Sequence, residues 1–177
     1  MPSALDRAGQ IEQAWRRERP DLDPSAVGIV TRIWHLAKIF SDERRTLLAA
    51  EDIDPASMDL LGALRRSGSP YALTTRELAR QTLVTPAAVS QRLTRAEQRG
   101  WVTREPGEHR AVLVRLTDSG QRRVDDIVGR IFQREAELLA GISSAQRSVL
   151  ARELRRLLHS LDDDRAGQPL PGVGSQV

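Results

Sequence analysis

The stretch that decides the fold is residues 74–116, TTRELARQTLVTPAAVSQRLTRAEQRGWVTREPGEHRAVLVRL, in which two short helical patterns precede a charged hairpin. Thr85 and Pro86 are typical of a helix start, because threonine caps the first turn and proline fits the first helical position. Gly100 is typical of a helix end. Two short strand patterns then flank the turn-rich EPGEHR, residues 105–110. This order predicts a winged helix-turn-helix.

The helix after Thr85 separates its apolar and polar residues onto opposite faces. Val89, Leu93 and Ala96 share one face at helical spacing, which predicts that this face packs against the protein. Amide and guanidinium groups on the other face can contact base edges in the major groove, and a wing arginine can enter the minor groove. We predict that DNA is contacted by Thr75, Thr85, Ser90, Gln91, Thr94, Arg95, Gln98, His109 and Arg110. Arg92 and Arg99 lie at the border of the two faces, so each can contact phosphate or turn back toward the protein.

Apolar residues at helical spacing predict further helices over residues 4–18, 25–50, 55–66, 117–141 and 143–161. The middle of the second helix is apolar nearly all round, so we expect it to be buried on more than one side, with His35 as a packed core histidine. The predicted fold class is mainly α, with a two-strand wing.

Composition permits nucleic-acid binding and excludes several other classes of function. The chain has 177 residues, a formal charge of +3 and no cysteine, so it has no disulfide and no thiolate metal site. The low aromatic content, 3%, disfavours the stacking platforms that bind single strands. Its three histidines lack ligand spacing, and there is no phosphate-binding glycine loop or nucleophile motif, so we expect no metal, no cofactor and no enzyme activity. No apolar run is long enough to span a membrane and no signal peptide opens the chain, so we expect a cytoplasmic protein.

At this point the chain resembles the MarR family of bacterial transcription regulators, from Trp15 to the last leucine-rich helix. The strongest pieces are LVTPAAVSQRLTRAEQRGWVTRE and VLVRLTDSGQ, and Glu108-His109-Arg110 stands where the family usually has Asp-x-Arg in the wing. The resemblance implies a homodimer whose terminal helices interleave. It also implies a pseudo-palindromic double-stranded DNA operator, with half-sites about 10 bp apart.

An added N-terminal helix and the stretch WRRERPDLD resemble the urate-responsive branch of that family. The resemblance implies that Trp15, Asp59, Arg92 and Arg104 respond to a ligand, such as urate or another small anionic or phenolic compound. An arginine partner and an aromatic wall suit such an anion. Other roles stay open: a core position for Trp15, an exposed position for Asp59, and DNA-backbone contacts for Arg92 and Arg104.

These inferences give one principal functional hypothesis and two alternatives. The first is a dimeric repressor that a small ligand releases from double-stranded DNA. The second is a winged-helix module that binds another protein without sequence-specific DNA binding, and the third and weakest is an enzyme. We assign residues 1–162 to a single domain and residues 163–177 to a disordered tail. Within the domain, residues 1–50 and 117–162 form the helical dimerisation region, and residues 55–116 form the winged helix-turn-helix.

Overall fold

The computed structural model of the protein describes residues 5–82, 85–107 and 111–164. The prediction of a mainly helical chain is confirmed, and no helix in these ranges is long and apolar enough to cross a bilayer. In chain order the elements are α1 (Arg7–Glu18), α2 (Ser25–Ala50), α3 (Pro55–Arg66), β1 (Ala72–Thr74), α4 (Thr75–Thr82), α5 (Pro86–Gln98), β2 (Val102–Pro106), β3 (Val112–Leu116), α6 (Asp118–Leu138) and α7 (Ser144–Asp164).

Side-chain caps fix the starts of three helices. Asp54, Thr85 and Thr117 precede α3, α5 and α6, and each accepts a hydrogen bond from the backbone N–H three residues further on, at 2.9, 3.3 and 3.0 Å. These bonds satisfy donors that the first turn of a helix leaves unpaired. Gly100, at a φ of 70°, follows the last turn of α5, as the sequence predicted.

The strands form one antiparallel sheet in the order β1-β3-β2. Leu73 of β1 and Arg104 of β2 both pair with Val114 of the central strand. β2 and β3 pair as the predicted two-strand wing, and β1 adds a third strand that was not predicted. β1 has three residues and runs directly into α4, so it is too short to show an alternating pattern in the sequence.

The chain divides into two compact units, which among the described residues are 5–43 and 44–164. In the first unit, Asp6 caps α1 and pairs with Arg32 at 2.8 Å. In the second unit, one buried cluster joins residues of α3, α4, α5, the sheet and α6. Its fully buried members include Leu61, Leu78 and Val114.

The expectation that α2 is buried on more than one side is wrong for the single chain. Ile29, Ile39 and Trp34 are exposed, Trp34 to 70%. His35 is exposed as well, so its predicted core position is also wrong. The physical reason is that the first unit contains only α1 and the first part of α2, and one helix covers one side of its neighbour.

The last helix is also exposed along its apolar stripe. Leu150, Leu154 and Leu158 are each at least 40% exposed. α7 continues to Asp164, two residues into the predicted disordered tail, and the rest of that tail, 165–177, lies outside the described residues. An unpaired leucine stripe of this kind is typical of a surface that another chain covers.

Substitution of a glycine in α6 tests how closely this helix approaches the backbone at Trp101, just before β2. A Cβ added at Gly120 would lie 2.0 Å from the backbone oxygen of Trp101, whereas one added at Gly129 would meet nothing within 4 Å. We expect Gly120→Ala to lower the free energy of unfolding by about 1–3 kcal/mol, because backbone atoms must move. The matched variant Gly129→Ala should raise it by about 0.5–1 kcal/mol, since alanine favours a helix. Urea denaturation measures both, and equal effects of the two substitutions would contradict the close approach.

Candidate nucleic-acid interface

The helix before the turn begins with a reciprocal cap. Thr74 donates its backbone N–H to the Glu77 carboxylate at 2.8 Å, and its hydroxyl accepts from the Glu77 backbone N–H at 3.2 Å. The Thr74 hydroxyl also donates to the Glu77 carboxylate, at 2.8 Å. The backbone N–H of Thr74 and then its hydroxyl, both donating to that carboxylate, lower the pKa of Glu77 below its usual value. The pair is a capping box, which fixes where α4 starts and how it leaves the sheet.

The predicted division of α5 into two faces is confirmed. Val89 and Leu93 are completely buried and Ala96 nearly so, which holds the helix against the core. The opposite face is open to solvent. The predicted base-contacting residues on α5 are all exposed: Ser90, Gln91, Thr94, Arg95 and Gln98.

The remaining predicted DNA contacts lie at the edges of this face. Thr85 is exposed at the cap of α5, and Thr75 is half-buried in the first turn of α4. His109 and Arg110, predicted at the hairpin tip, lie outside the described residues. Arg76 and Arg80 were not predicted from the sequence, although an exposed arginine suits a phosphate contact. Both are exposed on α4, and their spacing of four residues, which places them on one helix face, was the available signal.

The two border arginines of α5 both turn back toward the protein. Arg99 donates to the Asp52 backbone oxygen at 2.5 Å and to its carboxylate at 2.7 Å. Arg92 faces Asp54, with its Nε 3.8 Å from the carboxylate. Asp52 and Asp54 belong to the turn between α2 and α3, so this side of α5 is fastened to that turn.

Arg104 fastens the other side of α5 to the sheet. Its Nη2 donates to the Thr94 hydroxyl at 2.8 Å and to the Ser90 backbone oxygen at 3.3 Å. Its Nε lies 3.3 Å from the Glu97 carboxylate. Strand β2 and the solvent-exposed side of α5 are thereby held in one arrangement.

Helical periodicity indicated an exposed position for Asp59, but this residue is not on an open surface. Its side chain is 20% exposed and lies 3.3 Å from Arg44, which also lies 3.5 Å from Glu135 of α6. Burial raises the pKa of Asp59, although the positive charges of Arg44 and Arg66 oppose that shift. Arg44 was not predicted as a partner of Asp59, because a contact between residues fifteen positions apart leaves no local pattern in the sequence.

Three of the four predicted ligand residues lie in the second unit, where they are not joined to one another. Asp59, Arg92 and Arg104 each have a different partner, and within the described ranges no hydrogen bond or ion pair joins any two of them. Trp15 belongs to the first unit and is 51% exposed, so its alternative role as a core residue is wrong for the single chain.

Comparisons with known proteins agree with this architecture. The sequence model described as the MarR family matches residues 51–111. The regulator PecS of Dickeya dadantii is 28% identical over 157 residues, covering 88% of this chain and 95% of PecS. The crystal structure of wild-type apo MarR from E. coli is 26% identical with a TM-score of 0.60, covering 72% of this chain and 96% of that one.

A further solved structure is a mutant of MarR from E. coli complexed with operator DNA. It is 24% identical with a TM-score of 0.60 and covers 81% of this chain and 97% of that one, which supports the fold. The family match falls on the part of the chain that holds α3 to β2, which includes both helices of the predicted helix-turn-helix. The chain is therefore similar to the MarR family of transcriptional regulators and has the winged helix-turn-helix architecture of their solved structures.

Proposed function

We propose that this chain is a dimeric repressor that binds double-stranded DNA and releases it when a small anionic or phenolic ligand binds. The observation that carries the DNA-binding part is the exposed polar face of α5 above its buried apolar face. Amide and guanidinium groups held rigidly in this way suit base edges, since each offers two hydrogen-bonding atoms. Thr85 and Thr75 lie at helix starts, where hydroxyl and backbone N–H groups suit phosphate.

The fixed geometry on both sides of α5 supports a DNA-binding role. Arg99 and Arg104 hold the helix to the α2–α3 turn and to β2. The outer side chains of α5 can therefore contact DNA without a change in the position of the helix. Arg95 makes no side-chain hydrogen bond or ion pair with any residue that the structure describes. We propose Arg95 as the principal base-contacting residue.

A homodimer explains the exposed apolar side chains of the single chain. Several large apolar residues are exposed, and groups of them are typical of surfaces that another chain covers: Ile29 and Trp34 of α2, Phe132 of α6 and Leu154 of α7. In a two-fold symmetric homodimer, the same surface of each copy is buried against the other copy. The proposed dimerisation region is residues 1–50 and 117–162.

The proposed ligand residues are Trp15, Asp59, Arg92 and Arg104. Three of the four carry a buried polar atom without a hydrogen-bond partner: Asp59 Oδ2, Arg92 Nη1 and Arg104 Nε. Such atoms are uncommon in folded proteins, and each is a position at which a polar ligand gains a hydrogen bond without displacing one. Urate or a phenolic acid offers oxygen acceptors for the two arginines and an N–H or O–H donor for Asp59, and Arg92 connects such a ligand to α5.

The competing hypothesis is a winged-helix module that binds a protein instead of DNA. It requires a recognition helix without basic and amide groups on its outer face. The exposure of Gln91, Arg95 and Gln98 disfavours it.

Specific binding to the DNA upstream of the chain's own coding sequence tests the DNA-binding proposal. Arg95→Ala should weaken specific binding by about 1–3 kcal/mol, because a bidentate base contact is lost. Arg122→Ala, at an exposed position on α6, is the matched control and should change the affinity little. Fluorescence anisotropy at fixed salt measures both, and a scrambled duplex separates specific from phosphate-driven binding. Equal affinity for the two duplexes at every salt concentration would contradict the proposal.

The oligomeric state tests the dimer proposal. Leu154→Glu places a charge in the leucine stripe of α7 and should halve the mass measured by light scattering at micromolar concentration. Arg152→Glu, on the opposite side of the same helix, should leave the mass of a dimer unchanged. A wild-type chain that is monomeric in this experiment rules out the proposed interface.

The ligand residues are tested through release of DNA. Trp15→Ala should leave DNA affinity nearly intact and blunt the release caused by urate, since the aromatic wall is removed. Anisotropy of the protein–DNA complex during titration with urate, and separately with salicylate, measures the effect. Full release of DNA by these ligands in Trp15→Ala would show that Trp15 takes no part in the response to ligand.

A further inference from the structure

Thr94 lies in the middle of the outer face of the recognition helix α5. Residues 91, 94, 95 and 98 share this face at helical spacing, and all four are exposed. Its neighbours Gln91, Arg95 and Gln98 carry amide or guanidinium groups, whereas Thr94 carries one hydroxyl and one methyl group. Which of these two groups is available to DNA determines what Thr94 can recognise.

The hydroxyl of Thr94 is already engaged within the protein. It donates its proton to the Ser90 backbone oxygen at 3.1 Å and accepts a hydrogen bond from Arg104 Nη2 at 2.8 Å. The second of these bonds is charge-assisted and is therefore the stronger one. Because a hydroxyl has one proton, Thr94 has none left to donate to the acceptor atoms of guanine, adenine or thymine in the major groove.

The same two hydrogen bonds leave the methyl group of Thr94 as its free group. The hydroxyl is held by the helix backbone and by an arginine of β2, which together fix the side chain in one rotamer. The residue is exposed, so what it offers to a partner is this methyl group. In the major groove the apolar group at a base edge is the 5-methyl of thymine, and a threonine methyl is suited to contact it.

We propose that Thr94 recognises the 5-methyl group of a thymine in the major groove, once in each half-site, through its own methyl group. This recognition rests on the proposed DNA-binding function and names one base that α5 selects. Arg104 contributes from β2, because it holds the hydroxyl and thereby the orientation of the methyl group. The alternative contact at Thr94 is the unused lone pair of its hydroxyl, which can accept from adenine N6 or cytosine N4.

Replacement of thymine by uracil tests the proposed contact, because uracil lacks only the 5-methyl group. Two duplexes of the DNA upstream of the coding sequence are compared, one with thymine and one with deoxyuridine at every thymine position. The wild-type chain should bind the uracil duplex at least about fourfold more weakly, since burial of one methyl group changes affinity by about that factor. Fluorescence anisotropy at fixed salt measures both dissociation constants, and a ratio below about twofold would overturn the inference.

Variants at position 94 assign the effect to this residue. They are needed because Ala87, near the start of α5, also exposes a methyl group. Thr94→Ser removes the methyl group and keeps the hydroxyl, so the ratio of the two dissociation constants should fall by about threefold or more. Thr94→Val keeps a methyl group in one preferred helical rotamer and removes the hydroxyl, so the ratio should stay within about twofold of wild type.

Thr103→Ser is the matched control for loss of a methyl group. Thr103 is exposed on β2, and successive residues of a strand point to opposite faces, so it lies on the other face from Arg104. The ratio of dissociation constants should stay within about twofold of wild type in this variant. Thermal unfolding shows that each variant is folded.

The outcomes separate the thymine contact from the function on which it rests. A wild-type ratio retained in Thr94→Ser overturns the contact. If Thr94→Val then also binds both duplexes more weakly, the hydroxyl is the group that reads the base. Equal binding of the upstream and a scrambled duplex by the wild-type chain overturns the proposed function, and the thymine contact with it. Specific binding of upstream DNA without the expected effect of uracil overturns the thymine contact alone.

Discussion

The α2–α3 turn, residues 51–54, is the constraint on which the rest of the winged-helix unit depends. Glu51 is buried and accepts hydrogen bonds from Arg123 and Arg130 of α6. Asp52 holds Arg99 at the end of α5. One short turn thus joins the recognition helix to the long helix that follows the sheet.

Charge burial makes this turn costly to disturb. A carboxylate as buried as Glu51 is tolerable only with both guanidinium partners and their hydrogen bonds, because an unpaired buried charge costs several kcal/mol. Ile53 adds an apolar contact to the core. The centre of the Trp101 ring lies 4.9 Å from the guanidinium carbon of Arg99 and 5.9 Å from that of Arg123. The orientation of α5 relative to α6 is therefore determined by charge pairing as well as by apolar packing.

Local signals in the sequence predicted the parts of the fold that local physics decides. The caps at Thr85 and Thr117, the end of α5 at Gly100 and the buried face of Val89 and Leu93 each follow from residues within a few positions of one another. Strand β1 was not predictable in this way, because its three residues gain their conformation from pairing with β3.

The candidate site was predictable only in part, for the same reason. The exposed face of α5 follows from helical periodicity, whereas the partners of its border residues do not. Arg99 reaches Asp52 across 47 positions of sequence, and Arg123 reaches Glu51 across 72. Helical periodicity alone placed Asp59 at an exposed position. The pattern within one helix carries no information about Arg44 or Glu135, which lie on other helices.

The free energy that each ligand must supply for the proposed release of DNA depends on how many ligands bind to the dimer. Reversing a DNA-bound to a released population from 99:1 to 1:99 requires a differential free energy of about 5.5 kcal/mol. In the proposed two-fold symmetric dimer, with one ligand in each subunit, each ligand must supply about half of that amount. A charge-assisted hydrogen bond contributes about 1.5–3 kcal/mol. The withdrawal of one guanidinium from DNA in each subunit would therefore be of the right magnitude for the proposed release. Such a release leaves the Glu51 and Asp52 ion pairs in place, so the turn that holds α5 needs no large rearrangement.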